Sequence, residues 1–180
     1  MAQGSARRSS SWSANPTGPL HIGLSRGAIV GDTMARLLEA AGYAVEREYY
    51  FNNAGMQMKH LGTSLQIRYL QTLGADVVQP APDDGTFYQG EYLIDFAKDL
   101  IAEVGGAWRD RPWEDFKEYA EKKMFGIIRD TLKRISIEHD VFFNENSLYE
   151  SGAVWDTLKA LEAAGLIYAI RRARGPSRMT

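Results

Sequence analysis

Apolar positions recur with helical spacing in five stretches of the chain. The first stretch places five apolar residues on one face of a predicted helix, Val30, Met34, Leu37, Leu38 and Ala41. Three longer helices are predicted after it, over Met56 to Leu73, Tyr92 to Val104 and Trp113 to Ile135. A last helix carries a stripe of Val154, Leu158 and Leu161. The chain is therefore predicted to consist largely of amphipathic helices.

Short runs of β-branched and aromatic residues separate these helices. Ala44 to Phe51 and Val141 to Phe143 are typical of strands, and a final strand is predicted at Leu166 to Ile170. A strand near Ser11 to Ala14 is also expected, although serine is a poor strand former. Alternation of strands and helices favours a parallel sheet, so the expected fold class is α/β, with a mostly helical insertion.

Changes in composition divide the chain into five predicted segments. The start is Ser-rich without periodicity, and the end holds four arginines and a Gly-Pro pair. The segments are a disordered lead-in or expression remnant at 1–11, a nucleotide-binding α/β half at 12–78, a mostly helical insertion at 79–150, a return to the α/β core at 151–170 and an unstructured tail at 171–180.

Composition narrows the classes of function. The chain has 180 residues, a net charge of −2 and no cysteine. The lack of cysteine excludes disulfides, thiolate metal sites and cysteine nucleophiles, and it fits a reducing cytosol. The overall charge lacks the basic footprint of a nucleic-acid binder, so any RNA contact needs a local patch. No apolar run reaches the roughly 18 residues that span a membrane, and we predict a cytoplasmic protein without a metal site or a membrane partner.

The segment from Asn15 to Gly23 combines two prolines with two glycines, so it must be a loop that leads into a helix. The free N–H groups and the dipole of a helix N-terminus favour phosphate. His21 can donate to phosphate oxygens, and Gly23 allows a flat ring to approach the backbone. One interpretation is a nucleotide site without a Walker loop. The other is that proline and glycine only shape a turn, with Asn15 forming an Asx turn.

Seven separate stretches resemble known sequences in the right order. Ser13 to Gly23 resembles the His-Ile-Gly-His signature region of class I aminoacyl-tRNA synthetases. Six more resemble bacterial arginyl-tRNA synthetases, namely Arg26 to Asp32, Arg36 to Tyr43, Arg47 to Tyr50, Asn52 to Gln57, Tyr88 to Tyr92 and Ser147 to Ala153. The resemblance runs from about Trp12 to Tyr168. It implies the first half of a class I catalytic domain, whose Rossmann-like sheet is of the HUP type.

The resemblance also implies an activity and a set of ligands. The family uses ATP, with Mg²⁺ expected beside it, to activate L-arginine as an adenylate and then transfers the arginine to tRNA. Carried over to this chain, the ATP-binding residues would be Gly18, Pro19, His21, Gly23 and Leu24, and the arginine-binding residues Ser13 and Asn15. His21 would be the catalytic contact to the phosphates, Gly23 would pack under the adenine, and Asn15 would bind the amino group.

The chain departs from the family pattern at four places. The second histidine of the signature is Leu24, which cannot donate to a phosphate oxygen. The glutamate that faces the arginine side chain in the family is Ser10, and the aspartate of Asn-Asp-Ala-Gly is Asn53. Family members run to several hundred residues, and the chain stops before the Lys-Met-Ser-Lys-Ser loop. The expectation is therefore that this chain alone does not charge tRNA.

Three other interpretations stay open. The chain could be a non-catalytic paralogue that acts as a nucleotide- or partner-binding module. It could be a small nucleotidyltransferase of the same fold, although such enzymes do not share the later stretches. The helix from Trp113 to Ile135 carries six basic residues and is a candidate RNA-binding face, but its acidic residues, among them Glu114, Asp115, Glu118 and Glu121, favour a solvated surface with ion pairs along the helix.

Overall fold

The computed structural model describes residues 7–81 and 83–168, with side chains from Ser13 onward. The described residues form three strands and six helices. In chain order these are β1 (Arg7–Ser13), α1 (Ile22–Ala40), β2 (Val45–Phe51), α2 (Met56–Thr72), α3 (Tyr92–Val104), α4 (Trp113–Arg134), β3 (Val141–Asn144), α5 (Asn146–Glu150) and α6 (Ala153–Ala163). The predicted helices of the first 135 residues are thus confirmed.

The strands form one parallel sheet in the order β1-β2-β3, which confirms the predicted α/β class. Ser13 is opposite Tyr50, and Phe51 is opposite Asn144, so the carboxyl ends of the three strands meet at one edge. We call this the carboxyl edge of the sheet. Ligands of open parallel sheets bind at that edge, where the loops that follow the strands come together.

β1 begins earlier than the sequence predicts. Residues 7–11 belong to a strand that pairs with β2, so the prediction of a disordered lead-in is wrong for them. Ladder hydrogen bonds join main-chain groups, and they outweigh the low strand propensity of serine. Residues 1–6 and the predicted tail at 171–180 lie outside the described residues. The other segment boundaries stay predictions.

The core lies between the sheet and the helical layer made by α2, α3 and α4. The buried face of α4 consists of Phe116, Ala120, Met124, Ile128 and Leu132. The apolar spacing of this helix predicts a buried face made of Trp113, Phe116, Ala120, Met124, Ile127, Ile128 and Ile135. Four of these seven residues are buried, whereas Ile135 follows the end of α4 and is 45% exposed. On the sheet, Tyr49 and Phe51 pack edge-on against Phe125, with ring centroids 6.3 and 4.7 Å apart.

α1 buries a different face from the one that carries its apolar stripe. Val30, Met34 and Leu37 are 60%, 52% and 60% exposed. The buried residues of α1 are Ala28, Asp32 and Ala35. Small side chains allow close packing on the sheet, and the single carboxylate among them needs a partner.

That partner is Arg47 on β2. Asp32 Oδ1 accepts from Arg47 Nε at 3.3 Å, and Asp32 Oδ2 accepts from Arg36 Nε at 2.6 Å. Arg47 also donates to both carboxylate oxygens of Glu39, at 2.7 and 3.0 Å. These ion pairs join the middle of α1 to β2, and they explain why a polar residue occupies the contact between helix and sheet.

Residues 146–168 belong to a second compact unit. The spacing of Ser147 and Glu150 predicts a helix cap, but Ser147 lies inside α5. The next helix, α6, begins after Gly152, whose φ of 79° is in the left-handed region. Leu166 to Tyr168 form no strand, so that part of the predicted final strand is wrong, and residues 169–170 lie outside the described residues. In the described ranges, none of the helices is long and apolar enough to cross a bilayer.

Candidate functional site

The chain from Ala14 to His21 is an irregular turn that links the carboxyl end of β1 to α1. Thr17 N donates to Asn15 O at 2.8 Å, and Leu24 N donates to His21 O at 2.9 Å. The predicted loop leading into a helix is therefore observed. Because it follows a parallel strand, it lies at the carboxyl edge of the sheet.

His21 is the N-cap residue of α1 and is exposed, with extended backbone angles of −111° and 164°. Its side chain makes no capping hydrogen bond, and the first turn of α1 contains no acidic residue. Among the described residues, the N–H groups of Ile22 and Gly23 have no acceptor. An exposed imidazole thus stands beside two unsatisfied donors and the positive end of a helix dipole, which is an arrangement that favours an anion.

Gly23 lies directly against the imidazole of His21. A Cβ at this position would come within 3.0 Å of His21 Nδ1 and 3.1 Å of His21 Cε1. Any other residue would require the ring to shift by a few tenths of an ångström, so glycine permits this close placement of His21. Packing of adenine on Gly23 stays a prediction, as do the nucleotide contacts of Gly18 and Pro19.

Leu24 is half-buried and packs against the hydrophobic core. It lines a crevice of about 200 Å³ together with Leu20, His21, Ile22, Ser25, Ala28, Thr131, Leu132 and Ile135. The wall of this crevice is mainly apolar. At the position where the family signature has its second histidine, the chain therefore offers packing surface instead of a donor.

The two residues predicted to bind arginine are already hydrogen-bonded within the protein. Ser13 Oγ donates to Tyr50 O at 2.7 Å. Asn15 Oδ1 accepts from Asn52 N, and Asn15 Nδ2 donates to Gln57 Oε1, both at 3.0 Å. Asn15 thus bridges two segments and does not form the alternative Asx turn. Ser13 Oγ and Asn15 Oδ1 keep acceptor lone pairs, which an ammonium group requires.

Sequence reasoning missed three side chains at the same edge. Gln57 orients Asn15, and Asn52 supplies the N–H that Asn15 accepts. Glu145 follows β3 and accepts from Tyr50 Oη at 2.9 Å and from Asn52 Nδ2 at 2.8 Å. The stretch from Asn52 to Gln57 resembles the family, but only the fold shows that its residues form hydrogen bonds with Asn15.

A larger cleft of about 410 Å³ lies elsewhere, near the amino end of β3, and is lined in part by Arg129, His139 and Phe142. Burial lowers the pKa of His139 from its ordinary value. Within the described ranges, no group of three or more histidine or acidic side chains forms a metal site.

Sequence comparison matches residues 10–174 to the catalytic domain of class I tRNA synthetases of the arginine type. The arginine–tRNA ligase of Desulfotalea psychrophila is 51% identical over 157 residues, which is 87% of this chain and 28% of that protein. The arginine–tRNA ligase of Shouchella clausii is 47% identical over 154 residues, or 83% of this chain and 27% of that protein. The chain therefore spans little more than a quarter of the length of these relatives.

Solved structures agree with the sequence comparison. A crystal structure assigned as an arginyl-tRNA synthetase from Campylobacter jejuni superposes with a TM-score of 0.82 at 34% identity, and the match covers 94% of this chain and 37% of that chain. The arginyl-tRNA synthetase of Thermus thermophilus has a TM-score of 0.58 at 18% identity, with 94% of this chain and 28% of that chain covered. The second likeness concerns the fold alone.

Proposed function

The chain belongs to the arginyl-tRNA synthetase family of class I synthetases, and we propose that it forms the part of an activation site that holds ATP and the amino group of L-arginine. The observation that carries the proposal is the position of His21. Its exposed imidazole caps α1 beside two unsatisfied N–H donors at the carboxyl edge of the sheet. A family resemblance and a suitable anion site thus coincide in one turn.

In this proposal the turn binds the phosphates of ATP. The N–H groups of Ile22 and Gly23 and the imidazole of His21 donate to phosphate oxygens, and the helix dipole adds a favourable field. The arginine carboxylate bonds to the α-phosphorus while pyrophosphate leaves, so the protein contributes position and charge stabilisation without a covalent intermediate. Mg²⁺ would arrive with the nucleotide.

The amino group of arginine would bind beside the phosphates, at Ser13 and Asn15. Ser13 Oγ and Asn15 Oδ1 supply acceptors, and their orientation is fixed by Tyr50 O, Asn52 N and Gln57. Ser13 is the last residue of β1, and Asn15 lies in the phosphate-binding turn that follows this strand. The substrate carboxylate would thereby be placed near the phosphates.

The family also implies tRNA as a partner, and we place the protein in the cytoplasm, a reducing compartment that a chain without cysteine suits. The long helix α4 adds little to the RNA proposal. Its Lys117 pairs with Glu121 at 3.5 Å, and its Lys123 pairs with Asp99 at 2.8 Å. Such pairs favour the solvated surface over an RNA-binding face.

We further propose that this chain by itself binds nucleotide without charging tRNA. The reason is Leu24, because loss of one transition-state donor typically lowers the rate about a hundredfold or more. The alternative of a non-catalytic nucleotide-binding module makes the same prediction for ATP. Arginine separates the two, since only an activation site binds it.

Calorimetry with a series of ligands tests the nucleotide site. ATP should bind the wild-type chain, and His21→Ala should weaken it about tenfold, the size of one charge-assisted hydrogen bond. Adenosine is the matched control ligand, because it lacks the phosphates and should bind both proteins equally weakly. A wild-type chain that does not bind ATP would refute the proposal. Charging of tRNA above the level of His21→Ala would refute the claim of inactivity.

A further inference from the structure

Two tyrosine hydroxyls hold the main chain of the phosphate-binding turn. Tyr49 Oη on β2 donates to Ala14 O, and Tyr92 Oη on α3 donates to Thr17 O, each at 2.7 Å. The turn itself contains few internal hydrogen bonds, and one of them is Thr17 N to Asn15 O. Its conformation is therefore determined largely by side chains from distant elements.

The bond to Thr17 O has a geometric consequence for the next residue. The carbonyl of Thr17 and the N–H of Gly18 belong to one planar peptide, and no cis peptide bond occurs in the described chain. In a planar trans peptide the C=O and N–H point in opposite directions. By holding the carbonyl, Tyr92 directs the N–H of Gly18 away from α3.

The ring of Tyr92 is itself held in place. It is the first residue of α3 and packs edge-on against Phe96, with the ring centroids 5.7 Å apart. Gly90 leaves the space that the ring occupies, because a Cβ there would overlap it. Burial raises the pKa of Tyr92, so its hydroxyl stays a proton donor throughout the neutral range.

We propose that Tyr92 is a positioning residue of the phosphate-binding turn, which orients the Thr17–Gly18 peptide so that the Gly18 N–H is directed toward the nucleotide. The inference rests on the proposed function for its ligand, and on the structure for its geometry. Tyr92 acts through Thr17 and does not touch the nucleotide. Gly90 contributes to this arrangement, because it leaves space for the ring of Tyr92.

Tyr92→Phe in the 180-residue chain removes the hydroxyl and keeps the ring. ATP should then bind about three- to tenfold more weakly, because the competent conformation of the turn is no longer the dominant one. Tyr69→Phe is the matched control. Tyr69 is more deeply buried than Tyr92, and it donates to Gly105 O at 2.7 Å, beyond the end of α3 that is opposite Tyr92. It should lose thermal stability and keep its ATP affinity.

The amide of Gly18 gives a second measurement that needs no nucleotide. Its hydrogen exchange should accelerate, and its ¹⁵N–¹H signal should shift, in Tyr92→Phe but not in Tyr69→Phe. Gly90→Ala, which displaces the ring, should change both in the same direction as Tyr92→Phe. A Gly18 amide that is unchanged in Tyr92→Phe would overturn the inference. Provided that the wild-type chain binds ATP, an equal ATP affinity in Tyr92→Phe would overturn it as well. A wild-type chain that does not bind ATP would overturn the proposed function, and the Gly18 amide would still decide the part of Tyr92.

Discussion

The side-chain amide of Asn15 donates to Oε1 of Gln57 across 3.0 Å, which ties the turn after β1 to the first turn of α2. Its oxygen accepts the N–H of Asn52, also at 3.0 Å. An amide bonded at both ends has one orientation, and its remaining lone pair points in one direction. The carboxyl edge of the sheet thus carries a prearranged acceptor.

This relationship predicts a measurable coupling. Asn15→Ala and Gln57→Ala should each destabilise the chain slightly, and the double variant should recover about 0.5–1.5 kcal/mol of the summed loss in free energy of unfolding. Urea unfolding of the four proteins measures the coupling. Strictly additive losses would show that the contact contributes nothing in solution.

Leu24→His should have opposite effects on stability and on nucleotide binding. The leucine packs in an apolar crevice, so an imidazole there should cost about 1–2 kcal/mol of unfolding free energy. The new donor should strengthen ATP binding at least about threefold. Calorimetry and urea unfolding give the two values, and Leu24→Ala controls for lost packing. Equal ATP affinity in Leu24→His and Leu24→Ala would contradict the assigned position of the phosphates.

Asp32→Ala should destabilise the chain strongly. Asp32 lies between α1 and β2, and its removal leaves Glu39 as the one partner of the Arg47 guanidinium among the described residues. We expect a loss of about 3 kcal/mol, the lower end for a broken buried pair. Asp95→Ala is the control, because the Asp95–Lys98 pair is exposed and should contribute less than about 1 kcal/mol. Similar losses for the two variants would show that the Asp32 pair behaves as a surface pair.

Two glycines within helices should respond in opposite directions to alanine. A Cβ on Gly62 of α2 would lie 2.8 Å from Lys117 Cβ and against Trp113 O, so Gly62→Ala should force α2 and α4 apart at a cost of about 1–3 kcal/mol. A Cβ on Gly126 of α4 meets nothing within 4 Å, so Gly126→Ala should stabilise the helix by about 0.5–1 kcal/mol. Thermal unfolding measures both, and the same sign for the two would contradict the packing of these helices.

His139 should make stability depend on pH. Burial lowers its pKa below the ordinary value of 6.5, so the unfolded chain binds a proton more readily than the folded chain. The stability that neutral His139 contributes is fully present above the pKa of the unfolded chain. It is lost as the pH falls from 6.5 through the lower pKa of the folded chain. His139→Phe should flatten the profile of unfolding free energy below pH 6.5. Urea unfolding across this pH range measures the profile, and a profile that is equally steep in His139→Phe and in the wild-type chain would contradict the half-buried position of His139.

The sequence predicted the helical layer well and the contacts of α1 poorly. Phe116, Met124 and Ile128 form a stripe that is buried as expected, because apolar spacing on a long helix identifies its buried face. On α1 the same reasoning selects Val30 and Met34, which are exposed. The buried face there contains Asp32, and its partner Arg47 belongs to another element. An ion pair between two elements cannot be inferred from the spacing of apolar residues along one helix.

For the candidate site as well, the sequence predicted the local turn but not the long-range contacts. The turn with His21 and Gly23 is local in sequence, so its composition and its resemblance to a family were enough to locate it. Tyr92 and Thr17 are 75 residues apart, and Asn15 and Gln57 are 42 apart. Contacts of this kind depend on how the strands align and how the helices pack. The residues that hold the site in position were therefore visible only in the fold.

The short strand β3 has a consequence for how the chain reaches its native state. Within the part of the chain that the structure describes, Val141–Asn144 pairs with β2 alone, and α2, α3 and α4 lie between the two strands along the chain. Each ladder bond of β3 thus closes a long loop, whose entropy is lost before any contact compensates it. We expect the helices to assemble first and β3 to dock last. Glu145, which follows it, would then complete the polar edge only in the final step of folding.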